Sequence, residues 1–264
     1  MDTFRFRPGG SPLLISMPHT GTHVPEHIRS RLTPAALALP DTDWHLERLY
    51  DFLSDLDASL LVATHSRYVV DINRPPDGQN LYPGQDTTGL VPIDTFFKQP
   101  LYRGGVIPGE QEAEERVEKF WKPYHAKLAN ALSELKKRHG YALLWDAHSI
   151  FSHVPRFFEG KLADFNLGTA NGSSCASGIG EALLSAVTGY SVVLNGRFKG
   201  GYITRAYGKP SEHVHAIQLE LSEATYMEEH APYRFRDDLA GELRPRLKKL
   251  LVEFARLARL ARKD

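Results

Sequence analysis

The feature that most constrains this chain is an alternation of two hydrophobic periods. Short, nearly all-apolar runs of strand length are separated by segments whose apolar residues recur every three or four positions. Residues 13–17, 59–64, 68–72, 141–145, 190–194 and 214–221 read as buried strands. Residues 110–139 read as a helix carrying Val117, Phe120, Trp121, Tyr124, Leu128, Leu132 and Leu135 on one face. That segment opens with Glu110, Glu112, Glu114 and Glu115 and closes with Lys136, Lys137 and Arg138 before Gly140. The order matches the helix dipole and the C′ glycine preference, and Pro123 is expected to bend or split the helix. A second long helix is expected over 237–262, with Leu239, Leu243, Leu247, Leu250, Phe254, Leu257 and Leu260 facing the core. Shorter helices are expected over 44–56 and 182–187. The pattern specifies an α/β fold.

Residues 74–109 are rich in Pro and Gly and lack a period, and a loop this long in a compact domain is usually functional or disordered. Nothing resembles a repeat or a linker, so residues 1–264 are expected to form one domain. With 32 Lys+Arg against 32 Asp+Glu, the chain lacks the basic excess that nucleic-acid binding requires. The lone Cys175 excludes an intrachain disulfide and a cysteine-rich zinc module. The N-terminus lacks the pattern of a signal peptide, and no run approaches the ~20 apolar residues of a membrane span. A soluble cytoplasmic protein is therefore expected; oligomeric state is left open.

Polar constellations follow or interrupt the apolar runs, where open α/β sheets place their ligand sites. His19 comes just after LLISM, with His23 and His27 downstream. An imidazole at a strand end is a rigid metal ligand, although an isolated histidine more often bonds a turn. Arg67 precedes Asp71, Asn73 and Arg74; a guanidinium suits a carboxylate ligand, or equally an internal ion pair with Asp71. His148 lies in DAHS after YALLW. Glu220 alternates into VHAIQLELS, with Ala216, Gln218 and Ser222 on its face and Ile217, Leu219 and Leu221 on the other. A buried glutamate is costly unless paired or catalytic.

Taken together, PHTGTHVP, SRYVVDINRPP, LWDAHSI, PRFFEGKLADFNLGT, NGRFKGGYITRAYG and VHAIQLELS resemble the N-formylglutamate amidohydrolase family, which serves histidine degradation. The likeness runs from about residue 10 to 225. It implies a fold similar to zinc carboxypeptidases and aspartoacylases: a three-layer sandwich with a mixed sheet between helices and one zinc ion at the strand ends. By that resemblance His19 and His148 are zinc ligands, and Glu220 is the general base and acid. Arg67 polarises the scissile carbonyl, while Asn73 and Arg74 grip a substrate carboxylate. The family's H-x-x-E pair is broken, because Thr22 stands where glutamate is expected. The carboxylate ligand is assigned to Asp43, with Glu26, Asp41 and His23 as alternatives.

The implied reaction is hydrolysis of N-formyl-L-glutamate to formate and L-glutamate. Two imidazoles and a carboxylate leave zinc, or another divalent transition metal, an open position for catalysis. The substrate has two carboxylates, so a second cation is needed beside Arg74; Arg197, Lys199 and Arg205 are the candidates. Other N-acyl amino acid hydrolases and carboxypeptidase-like enzymes share these requirements. A metal-dependent binding protein for an acidic metabolite would not need Glu220.

Overall fold

A computed structural model of the chain describes residues 1–261. The sheet strands are β1 (Phe4–Arg7), β2 (Leu13–Met17), β3 (Ser59–Ala63), β4 (Ala142–Ile150), β5 (Phe165–Gly168), β6 (Val192–Leu194) and β7 (Val214–Ser222). The helices are α1 (Glu26–Arg29), α2 (Pro34–Leu37), α3 (Leu46–Leu49), α4 (Glu110–Arg116), α5 (Lys122–His139), α6 (Ile179–Ala186), α7 (Tyr202–Tyr207) and α8 (Asp237–Ala261). The strands form one mixed sheet in the order β1-β3-β2-β4-β7-β5-β6. Its centre, β3-β2-β4-β7, is parallel. At the margins β1 runs antiparallel to β3, and β5, parallel to β6, runs antiparallel to β7.

The period of two divides the central strands between two cores, giving the three-layer sandwich. Leu143, Trp145 and Ala147 of β4 and Ile217, Leu219 and Leu221 of β7 pack with α3, α6 and α8. Ala142, Leu144 and Ala216 face the other way, toward the layer built from residues 117–121, α5 and α7. Further along the strands the second face turns polar, through Asp146 and His148 on β4 and Gln218 and Glu220 on β7. The pairing register sets Asp146 opposite Gln218 and His148 opposite Glu220. A polar patch is thus buried at the carboxyl ends of parallel strands.

The expected helix over 110–139 is split, as Pro123 requires. α4 passes into a π-helical turn, Val117–Trp121, before α5 begins with Pro123 in its first turn. Gly140 ends α5 at φ 80°, its N–H donating to the Lys136 carbonyl. The last helix buries Leu243, Leu247, Leu250, Phe254 and Ala258, whereas Leu260 is exposed; its expected end at Arg262 lies outside the described residues. No described helix is long and apolar enough to cross a membrane.

One expected strand is corrected. Residues 68–72 are buried yet form turns: Val69 N–H donates to Ser66 O, Asp71 N–H to Leu90 O, and Asn73 N–H to Asp71 Oδ1. An apolar run records burial and not backbone conformation, and here the Ser66 and Asp71 side chains supply local partners that replace a ladder. The run at 141–145 was expected to end before His148, but β4 continues through it to Ile150. β1, β5 and α7 are elements that the sequence pattern did not signal.

Candidate active site

His19 leaves the end of β2 in a tight turn. Gly21 is needed there, because a Cβ would meet the His65 carbonyl oxygen at 2.3 Å. Asp43 N–H donates to the His19 carbonyl at 3.0 Å, which ties the loop before α3 to that turn. His148 reaches the same point from β4. The two imidazole centroids lie 4.9 Å apart. Asp43 Oδ2 stands 3.0 Å from His148 Nδ1 and 3.8 Å from His19 Nδ1. One ligand atom from each of His19, Asp43 and His148 falls within a mutual 4.8 Å, and all three residues are buried.

The far nitrogen of each ring meets a further carboxylate: His19 Nε2 is 2.8 Å from Asp71 Oδ1, and His148 Nε2 is 3.1 Å from Asp146 Oδ2. Such outer carboxylates fix ring orientation and raise ligand basicity in metal sites. Asp43, Asp71, Asp146 and Glu220 are all buried here, and Arg67 is the one lysine or arginine among them that forms an ion pair, with Asp71. Two imidazoles and a carboxylate, backed by further buried carboxylates, form a donor set that suits a divalent transition metal. Of the alternatives to Asp43, Glu26 is exposed on α1, and His23 stacks edge-on against His65 at 4.8 Å. Asp41 is buried, but its Oδ2 accepts the Phe96 N–H.

The charges in the cluster act on one another. Burial lowers the His19 pKa, and Arg67 adds to that effect. Burial alone would lower His148 too, but Asp146 and Asp43 outweigh it and hold the ring well above its usual range. Burial pushes the Glu220 carboxyl up, opposed by His148 and Arg67 and reinforced by Asp43 and Asp146. Arg67 Nη2 donates to His19 Nδ1 at 2.9 Å and to Asp71 Oδ2 at 3.1 Å, so the internal ion pair considered from sequence is present at the site itself.

His19, Arg67, His148 and Glu220 line an open cleft, with about 540 Å³ of empty space including its solvent mouth, together with Asn73, Arg74, Tyr82, Thr87, Phe96, Ile150, Phe157, Arg197, Phe198, Gly201 and Gln218. Arg74 donates to the Thr88 and Asn73 carbonyls and the Thr88 hydroxyl. Arg197 donates to the carbonyls of Phe157 (2.7 Å) and Asp86 (3.0 Å). Neither forms an ion pair among the described residues, and burial lowers the Arg197 pKa, with Arg74 contributing in the same direction. Asn73 accepts from Ile203 N–H at 2.9 Å and places Nδ2 3.0 Å from His148 Nε2, which leaves one of its amide hydrogens uncommitted. Lys199 and Arg205 do not line the cleft; the Arg205 guanidinium lies 5.1 Å from the centre of the Tyr82 ring.

The long Pro/Gly stretch thus contributes Tyr82, Thr87 and Phe96 to the cleft, a placement that no local signal announced. Asp146 and Asp71 were also not singled out as histidine partners. Asp146 was within reach of sequence reasoning, because D-x-H on a strand sets both side chains on one face.

Comparisons with known proteins identify the family of the chain. A family model described as N-formylglutamate amidohydrolase matches residues 11–227. The chain is 52% identical over 249 residues to an N-formylglutamate deformylase of Pseudomonas putida, covering 93% of both chains. It is 53% identical over 253 residues to an N-formylglutamate deformylase of Pseudomonas aeruginosa PAO1, covering 95% of both. The crystal structure of N-formylglutamate amidohydrolase from Ralstonia eutropha JMP134 superposes over the whole of this chain and 99% of its own, with TM-score 0.79 and 26% identity. A gene product of Agrobacterium tumefaciens shares the fold at TM-score 0.71 and 18% identity, over 96% of each chain. This chain belongs to the N-formylglutamate amidohydrolase family.

Proposed function

We propose that residues 1–264 act as one amidohydrolase domain that converts N-formyl-L-glutamate and water to formate and L-glutamate, using one zinc ion or a similar divalent metal held by His19, Asp43 and His148. The observation that carries this reading is a charge pattern within one cleft. Two arginines that form no ion pair among the described residues, Arg74 and Arg197, face the same space as a buried acid-rich donor group and Glu220; Asp71 acts on Arg74, and Glu220 and Asp86 on Arg197, only at longer range. Cations hydrogen-bonded to neutral groups suit anionic ligands, and two of them suit a dicarboxylate. The relatives named for N-formylglutamate support the same substrate.

When bound, the metal supplies Lewis acidity to the formyl oxygen and lowers the pKa of a water. The protein groups do the rest. Arg74, with the free amide hydrogen of Asn73, takes one substrate carboxylate, and Arg197 takes the other. Arg67 donates to the oxygen on which negative charge develops, where a preorganised donor acts most strongly. Glu220 accepts the proton of the attacking water and passes it to the departing amine; burial raises its proton affinity, which suits that exchange. Phe96, Ile150 and Phe157 cover the cleft with apolar surface that excludes competing water.

The test is product analysis on metal-analysed protein. Stoichiometric formate and glutamate from N-formyl-L-glutamate, with about one bound divalent ion per chain, is expected. Faster turnover of N-acetyl-L-glutamate or of a peptide with a C-terminal glutamate would replace this reading with a broader acyl-amino-acid hydrolase or a carboxypeptidase.

A further inference from the structure

Glu220 is held by a single hydrogen bond. Gln218, two residues earlier on the same face of β7, places Nε2 3.3 Å from Glu220 Oε2. Among the described residues no other group hydrogen-bonds this carboxylate, so its second oxygen is uncommitted, and Glu220 lines the cleft. Gln218 itself is 3% exposed. Its amide cannot turn over, because Oε1 accepts the Gly201 N–H at 2.7 Å. A backbone N–H is only ever a donor, so the atom facing it must be the carbonyl oxygen and the NH₂ must face Glu220.

Gly201 connects this pair to the rest of the site. A Cβ there would lie 2.4 Å from Asn73 Nδ2, so only glycine lets the Asn73 side chain pack against the start of α7. Asn73 Oδ1 in turn accepts the Ile203 N–H at 2.9 Å. The start of α7 is thereby held from one side by Gln218 and from the other by Asn73, which also approaches His148 and stands next to Arg74.

We propose that Gln218 is a positioning residue of the reaction. It holds one oxygen of Glu220 so that the other is available to the reaction. The inference rests on the reading of Glu220 as the proton acceptor. Gln218 lines the cleft beside Glu220, and its assigned effect on the rate runs through the orientation of that carboxylate.

The test is a double-mutant cycle on the metal-loaded enzyme, with formate release, L-glutamate binding by calorimetry, metal content and thermal midpoint measured on each protein. Gln218→Met keeps the side-chain length and removes both hydrogen bonds; Gln218→Glu keeps an acceptor for Gly201 but loses the donor to Glu220. Both are expected to lower kcat by about 10- to 100-fold, the scale of a misplaced catalytic group, with KM and L-glutamate affinity within about threefold of wild type. In a Glu220→Gln background, followed by single-turnover kinetics, adding Gln218→Met is expected to change the rate by less than about twofold, because the group it positions is gone. An equal rate loss in both backgrounds, or a loss that tracks the folded fraction, would overturn the inference and leave the functional reading intact. A wild-type protein that releases no formate would overturn both.

Discussion

Arg197 offers the most direct test of substrate selection. It is half-buried, its Nε hydrogen and one Nη2 hydrogen are spent on the Phe157 and Asp86 carbonyls, and no carboxylate pairs with it. Both hydrogens of its Nη1 and one of Nη2 are left to meet a substrate carboxylate in the cleft. A hydrogen bond to a charged group contributes about 1.5–3 kcal/mol, which corresponds to a factor of about 10 to 150 in affinity. Arg197→Met keeps an aliphatic chain and removes the charge and the fork, with the guanidinium contacts to the Phe157 and Phe198 rings. On N-formyl-L-glutamate the variant should raise KM by that factor with little change in kcat, because the distal carboxylate is bound alike before and during reaction. N-formyl-L-glutamine supplies the control, since it has the same length without the charge. Wild type should favour the glutamate substrate by about the same factor, and the preference should collapse to near unity in the variant. Steady-state kinetics on both substrates decide the matter. If Arg197→Met lowers kcat/KM equally for the two, the residue merely supports the cleft wall, and the distal carboxylate must be read elsewhere.

Glu220→Gln should retain bound metal and thermal midpoint while formate release falls by about two to four orders of magnitude, since the amide cannot accept the proton; turnover near wild type would remove Glu220 from the mechanism. Stripping the metal with a strong chelator should abolish formate release and lower the thermal midpoint, because Asp43, Asp71, Asp146 and Glu220 would repel one another with less cation among them; calorimetry with and without added zinc reads the difference. His125, which does not line the cleft, donates Nε2–H to the Ile72 carbonyl at 2.7 Å, and burial pushes its pKa down to about 4. The unfolded chain protonates this ring below about pH 6.5 and the native state does not until about pH 4, so its contribution, of order 3 kcal/mol, is present at neutral pH and lost as pH falls between those values. The stability gap between wild type and His125→Gln, from urea unfolding, should therefore shrink from pH 7 to pH 4.5; a constant gap would show that the ring does not titrate differently on folding.

Much of the site could be read from periodicity because the fold buries it on strands. Glu220 shares a face with Ala216 and Gln218 and opposes Ile217, Leu219 and Leu221, as a period of two requires. His19 and His148 converge because β2 and β4 are parallel neighbours, so groups at their carboxyl ends meet. The same logic failed at residues 68–72. Burial made them apolar, yet the backbone turns there, and those turns bring Arg67, Asp71, Asn73 and Arg74 to one place instead of along one strand face.

The sequence by itself determined the α/β class, the two core faces and the residue types able to bind a metal, accept a proton and hold carboxylates. These are local properties: period, side-chain chemistry and the cost of burying charge. Tertiary structure alone decided which groups meet. Asp43 rather than Glu26, Asp41 or His23 joins the histidine pair, because its loop is tied to the His19 carbonyl. Arg197 rather than Lys199 or Arg205 lines the cleft, and Tyr82, Thr87 and Phe96 come to it from a stretch without periodicity. Such convergence depends on strand order and on where long loops return, and chain-distant contacts of this kind leave no mark on the spacing of neighbouring residues.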